Sequence, residues 1–138
     1  MKTIIYSSII ILLSVFAGNE AKAQRDSSYN YVVLTKKLPQ LKPILLTAEK
    51  LKEKDGDRFG EFQVIICGKT IEDITKPEKI DKFRTISDKI GVQLVACGFS
   101  LNKFEVDIEK VPSDIKIVEN GILYNFELQK KGYLSLGL

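Results

Sequence analysis

Two cysteines, each followed at once by a glycine, are the residues of this chain best suited to chemistry: Cys67-Gly68 and Cys97-Gly98. An ionised thiol is a nucleophile, and a helix amino terminus beside it favours the ionised form. Cys97 closes the run Val92-Gln93-Leu94-Val95-Ala96-Cys97, and Gly98-Phe99-Ser100-Leu101 then reads as a helix start. The spacing places a thiol at the carboxyl end of a strand, where open α/β sheets bind ligands. The competing reading makes Cys97 a small apolar residue filling a strand end, because free cysteine is among the most buried residue types. Cys67 ends the preceding strand. Neighbouring strands lie about 4.8 Å apart, inside the Cα range of disulfides. A disulfide, a redox-sensing pair and two unrelated buried thiols all fit that spacing.

The rest of the titratable inventory narrows the chemistry. The chain has no histidine. That excludes Ser-His-Asp triads, Cys-His pairs and histidine-containing metal sites. Two cysteines are too few for an all-cysteine zinc site, and Asp55, Asp57 and Asp107 lack the spacing of a calcium loop. No metal and no cofactor is expected. Around Cys97 the expected ligand-binding set is Gly98, Ser100, Cys67, Gly68, Lys69, Asn120 and Gly121. Lys69 would lower a thiol pKa or hold an anion; Lys69 and Glu119 are otherwise solvated turn positions. Ser100 suits a helix cap, since no histidine is there to activate its hydroxyl. Asn120 before Gly121 is turn chemistry, and Tyr133 a packing residue with a wet hydroxyl.

These residues need a scaffold, and the order of elements supplies one. Residues 29–35 read as a first strand with the continuous apolar run Tyr31 to Leu34, as suits a parallel strand covered on both faces. In residues 41–54, Leu41, Ile44, Leu45, Ala48 and Leu51 recur at helical steps, with Pro39 and Pro43 near the first turn. Residues 62–67 form a second strand, and residues 71–76 a short helical turn. Residues 77–90 form a second helix with Ile80, Phe83, Ile86 and Ile90 as its buried stripe and Gly91 as its cap. After the third strand at 92–97, residues 100–111 read as a short irregular helix or turn pair. A fourth strand at 115–118, a helix at 122–131 and a last strand at 133–136 complete the chain. The apolar tail Leu134 to Leu138 suits either an interface or the edge of its own sheet. Strands alternating with helices predict a mainly parallel five-stranded sheet in a three-layer α/β/α domain. Its carboxyl edge gathers Thr35, Cys67-Gly68-Lys69, Cys97-Gly98 and Glu119-Asn120-Gly121.

The amino terminus reads as an export signal. Lys2 precedes a stretch from Ile4 to Phe16 that is apolar apart from Tyr6, Ser7, Ser8 and Ser14, and Ala21-Lys22-Ala23 fits a small-x-small cleavage pattern, so residues 1–23 are expected to be removed and Gln24 to begin the mature chain. That stretch is 13 residues long, short of the roughly 20 that span a bilayer. A periplasmic or secreted location follows, with no membrane attachment after cleavage. Residues 24–138 suit one domain. The formal net charge is +3, and no basic stripe interleaved with aromatics supports nucleic-acid binding.

The segment Gly91-Val92-Gln93-Leu94-Val95-Ala96-Cys97-Gly98-Phe99-Ser100-Leu101 resembles the third strand and following turn of DsrE/DsrF-like proteins. The tail Val118-Glu119-Asn120-Gly121, followed by Leu128-Gln129-Lys130-Lys131-Gly132-Tyr133, resembles the end of the same family. The resemblance implies the five-stranded sheet already read from the elements, a homo-oligomer (trimer or hexamer), and a sulfur-relay protein as partner. It also implies that Cys97, at the end of the third strand, accepts a persulfide and hands it on, as a sulfur carrier or sulfurtransferase subunit. The chain departs from the relay members in its export signal and in Gly98-Phe99-Ser100-Leu101, where they carry small alanines and then Arg-Gly. The expected function is sulfur handling through Cys97. The alternatives are a non-catalytic oligomeric binding module of the same fold and a Cys67/Cys97 redox sensor.

Overall fold

The computed structural model describes residues 27–138. The export segment 1–23 and the expected start at Gln24 lie outside the described residues. Five strands, β1 (Tyr29–Thr35), β2 (Phe59–Ile66), β3 (Val92–Cys97), β4 (Lys116–Val118) and β5 (Leu134–Gly137), pair in parallel in the order β4-β3-β2-β1-β5. Parallel neighbours need crossovers. Three of these carry helices α1 (Leu41–Asp55), α2 (Pro77–Ile90) and α4 (Gly121–Lys130), while the β3–β4 link holds the short α3 (Gly98–Lys103). Helices α1 and α2 pack together on one face and α4 lies on the other, giving the expected three-layer α/β/α arrangement.

Burial follows from this layering. Val64, Ile65 and Ile66 of β2 and Val95 and Ala96 of β3 are all fully buried. A strand covered on both faces has no solvent side, so its apolar run is continuous. Side chains nonetheless alternate between faces. Phe62, Val64 and Ile66 point toward the α1–α2 layer, whereas Glu61, Gln63, Ile65 and Cys67 point toward α4. The β2–β3 register runs from Phe62↔Val92 to Ile66↔Ala96, so Gln93, Val95 and Cys97 share the α4 face. The β3–β4 register pairs Val95 with Lys116 and Cys97 with Val118, which adds those two residues to it.

The element boundaries differ from the sequence expectations in a few places, each with a local cause. Strand β2 begins at Phe59 rather than Phe62, because Phe59 pairs with Tyr29 across an irregularity in β1. The turn after β2 is a 3-10 segment, Lys69–Thr75. In α2 the buried stripe is Ile80, Phe83, Ser87 and Ile90, and Ile86 is 45% exposed. The seven residues from Ile80 to Ser87 make about two full turns and return to the buried face, whereas the six to Ile86 end roughly a third of a turn away. Helix α3 begins at Gly98, two residues before the expected start, and between α3 and β4 a 3-10 turn follows at Ile108–Lys110. Helix α4 begins at Gly121, since the Asn120 side chain accepts hydrogen bonds from the amides of Ile122 and Leu123. The apolar tail forms edge strand β5 beside β1. Among the described residues, no helix is long and apolar enough to cross a membrane.

Candidate functional site

The carboxyl ends of β2 and β3 bring the two thiols side by side, both free. Helix α4 runs back across the sheet with its first residue over them. A Cβ built on Gly121 would sit 2.8 Å from Cγ2 of Ile65, 2.9 Å from Sγ of Cys67 and 3.0 Å from Cβ of Cys97. Glycine is required there because the helix backbone rests on the sulfurs. Gly98 is squeezed in the same way: its Cβ would meet the Val118 carbonyl at 2.9 Å and the Glu119 carbonyl at 3.0 Å. The Glu119 carbonyl also accepts the Phe99 N–H at 2.9 Å, tying the start of α3 to the end of β4.

An open cleft at Cys97, as a strand-end thiol suggests, is not what these glycines leave. Cys97 is 4% exposed and Cys67 6%. Glycine here admits another stretch of backbone, which fills the space a ligand would occupy. The larger cavities lie elsewhere. Two of about 500 and 320 Å³ flank the amino ends of β2, β3 and β4.

The two thiols nevertheless differ in their electrostatics. Cys97 is the cap residue of α3, although its side chain makes no capping hydrogen bond to the first turn. Its Sγ accepts the Gly121 N–H at 3.3 Å. Burial, the largest influence on it, raises its pKa. The Gly121 amide, the amide and hydroxyl of Ser100 and the Cys67 thiol together outweigh burial and hold Cys97 below its ordinary value. Cys67 is pushed up to about 12, by burial first and then by the neighbouring Cys97, with Lys36 and Ser100 opposing. One thiol is predisposed to ionise and its neighbour to remain protonated.

The other expected site residues fall in and around this pair. Ser100 lies inside α3 rather than capping it, and its Oγ accepts the Gly68 N–H at 2.9 Å, joining the two Cys-Gly turns. Gly68 thus borders the thiols, and Asn120 fixes the helix start that aims the Gly121 amide. Lys69 begins the 3-10 segment with its side chain exposed, and Lys36, which follows β1, is the cation that acts on Cys67. Thr35, at the end of β1, is fully buried; its side chain bonds to Gln40 and to the Lys37 backbone, and its carbonyl accepts the Cys67 N–H at 2.9 Å. No group of three or more potential metal-binding side chains occurs among the described residues.

A second polar assembly on the α4 face went unread in the sequence. Lys116 donates to the Tyr124 hydroxyl at 2.9 Å, and that hydroxyl donates to Oε1 of Gln63 at 2.8 Å. Nε2 of Gln63 donates to Oε2 of Glu61 at 3.2 Å, and the Tyr133 hydroxyl donates to the same oxygen. Tyr133 is therefore tied to a carboxylate and not merely wet. The alternation Glu61-Phe62-Gln63-Val64 is the signal that could have revealed polar groups on one face of β2.

No family model and no curated protein matches the chain. Solved structures do. A protein of unknown function from Methanobacterium thermoautotrophicum, MTH1491, aligns with TM-score 0.63 at 14% identity over 80% of this chain and 100% of its own. A conserved protein of unknown function from Bacteroides thetaiotaomicron, BT1422, aligns with TM-score 0.60 at 14% identity over 79% of this chain and 95% of its own. The chain shares their fold.

Proposed function

We propose that this protein carries sulfane sulfur on Cys97, in the manner implied by its resemblance to DsrE/DsrF-like proteins. The observation that supports this reading is the convergence of the Gly121 amide, Ser100 and the Cys67 thiol on the Cys97 sulfur. The Cys97 thiolate attacks the outer sulfur of a persulfide donor. A new S–S bond forms on Cys97, the donor's S–S bond breaks, and the donor leaves as a thiolate, so no external oxidant or reductant is needed. Transfer to an acceptor thiolate repeats the step in reverse. The Gly121 N–H that now meets Sγ would serve the anionic persulfide as well. Cys67 stays protonated beside it. A thiolate at Cys67 would attack the Cys97 persulfide, expel hydrosulfide and leave a disulfide, so a neutral Cys67 preserves the cargo.

Access to Cys97 then requires the first turns of α3 and α4 to part, a local opening of the kind that gates many buried sites. Exposed Phe99, Ile122 and Leu123 on those turns offer the surface on which a relay partner or a second copy would act. To test the reading, the reduced protein is incubated with a low-molecular-weight persulfide and its intact mass measured. The expected result is a gain of one sulfur in the wild type and none in Cys97→Ala. An unchanged wild-type mass, or an equal gain in the variant, contradicts it.

The burial of both thiols favours a second reading, in which the fold is a non-catalytic oligomeric module and Cys97 contributes packing. Complete inertness of both thiols toward a small alkylating reagent in the native state would select it.

A further inference from the structure

Two cavities lie at the amino edge of this sheet, where no sequence motif pointed. The cavities of about 500 and 320 Å³ share Gln93 and Lys116 in their walls and so form one groove. Its narrower half is bounded by Gly60, Glu61, Gln63 and Gly91 as well. We propose that this groove binds a small α-amino acid as its zwitterion, with the ligand's carboxylate on Lys116 and its ammonium on Glu61.

Two fixed, opposite and unpaired charges carry the assignment. Lys116 and Glu61 act on one another electrostatically, but no ion pair joins them among the described residues. The Lys116 ammonium is held by a neutral partner, with Nζ 2.9 Å from the Tyr124 hydroxyl and 4.7 Å from the ring centroid. An ammonium has three donors, so this anchoring leaves donors for a carboxylate. Glu61 takes both its hydrogen bonds, from Tyr133 and Gln63, on Oε2, leaving Oε1 without a partner among the described residues. That carboxyl is held below the usual carboxylate range, chiefly by the Tyr133 and Gln63 hydrogen bonds.

The spacing between the charges is built rather than incidental. Gln63 is 8% exposed, and both ends of its amide are spent, one on Tyr124 and the other on Glu61. The chain Lys116–Tyr124–Gln63–Glu61–Tyr133 therefore braces the cation and the anion at a set separation. A ligand carrying only one charge would engage one of them and forgo the second charge-assisted hydrogen bond.

The wider half of the groove gives the class of side chain. Ser87 lines it, 3% exposed, and its Oγ has no hydrogen-bond partner. A buried hydroxyl left unsatisfied is uncommon in folded proteins and calls for an explanation. Asp88 and Gln93 line the same half. The arrangement selects a polar ligand side chain over an aliphatic one.

The test is a titration of the isotope-labelled protein, followed by amide NMR, with L-glutamine, L-leucine and propionate as probes. L-glutamine is expected to shift the amides of Gly60, Gly91, Gln93 and Lys116 saturably. Propionate, which lacks the ammonium, should bind at least about ten-fold more weakly, which corresponds to the loss of one charge-assisted hydrogen bond, and L-leucine, which keeps both charges but lacks a polar side chain, should also bind more weakly than L-glutamine. Lys116→Gln, which keeps a donor for Tyr124, and Glu61→Gln should each weaken L-glutamine binding by a similar factor while retaining a folded spectrum before ligand is added. Cys97→Ala should bind as the wild type does, so the result is independent of the sulfur chemistry. No saturable shift in the wild type, shifts centred on Gly98 and Gly121, or equal affinity for propionate and L-glutamine would each overturn the proposal.

Discussion

At the scale of single residues, two thiols of the same chemical type become opposites in the fold. Cys97 is held below its ordinary pKa, while Cys67 is pushed up to about 12, burial being the largest cause. Alkylation of the native protein should therefore proceed at Cys97 first, at a rate that rises with pH from below the ordinary thiol range. Cys67 should stay unmodified until the protein unfolds. Peptide mapping after a pH series of brief iodoacetamide pulses checks this, and equal labelling of the two cysteines would contradict it. The sequence did show a thiol at the end of the third strand. It singled out Cys97 from the helix start beside it and from the resemblance, but not the groups that set its electrostatics, most of which arrive from distant parts of the chain. Gly121 lies 24 residues from Cys97, and the Ser100 hydroxyl reaches across to Gly68. The absence of histidine, by contrast, was fully legible and set the limits of the chemistry from the start.

At the scale of elements, α4 is the piece on which the site depends. Asn120 caps it, Gly121 lets its backbone rest on the sulfurs, and Tyr124 connects it to Gln63 one turn later. Gly121→Ala should destabilise the fold by about 1–3 kcal/mol, since the added methyl must displace Ile65, Cys67 or Cys97. The same change should raise the Cys97 pKa by moving the amide that lowers it. Urea denaturation and the pH dependence of alkylation measure the two effects, and an unchanged midpoint would count against close packing at this contact. The order of strands and helices was readable from periodicity because apolar steps of three and four residues mark α1 and α2 plainly. The filled carboxyl edge was not. A glycine that admits a ligand and one that admits another backbone look identical in sequence, and only the approach of Val118 and Glu119 to Gly98 separates them.

At the scale of the whole molecule, one five-stranded sheet is covered by two helices on one face and by α4 on the other. Ile122, Leu123 and Phe126 of α4 remain exposed. The proposed homo-oligomer would cover them, so Phe126→Glu should lower the mass measured by sedimentation if that assembly forms through α4. A monomeric wild type, or an identical mass for variant and wild type, would contradict an assembly through α4. Alkaline stability follows from three groups together. Cys67, Tyr31 and Tyr133 are each raised to about 12, with burial as the first cause. The folded state keeps their protons longer than the unfolded chain does. The stabilisation is complete below their ordinary values of 9.0 and 10.0 and is lost as pH rises toward 12. Urea midpoints should fall across that window, and a flat profile would refute the assignment. The most direct test of the central claim is to locate the transferred sulfur. After reaction of the reduced protein with a persulfide donor, peptide mass spectrometry should find one added sulfur on the peptide containing Cys97 and none on that containing Cys67. Sulfur on Cys67, or on neither peptide, would contradict the account.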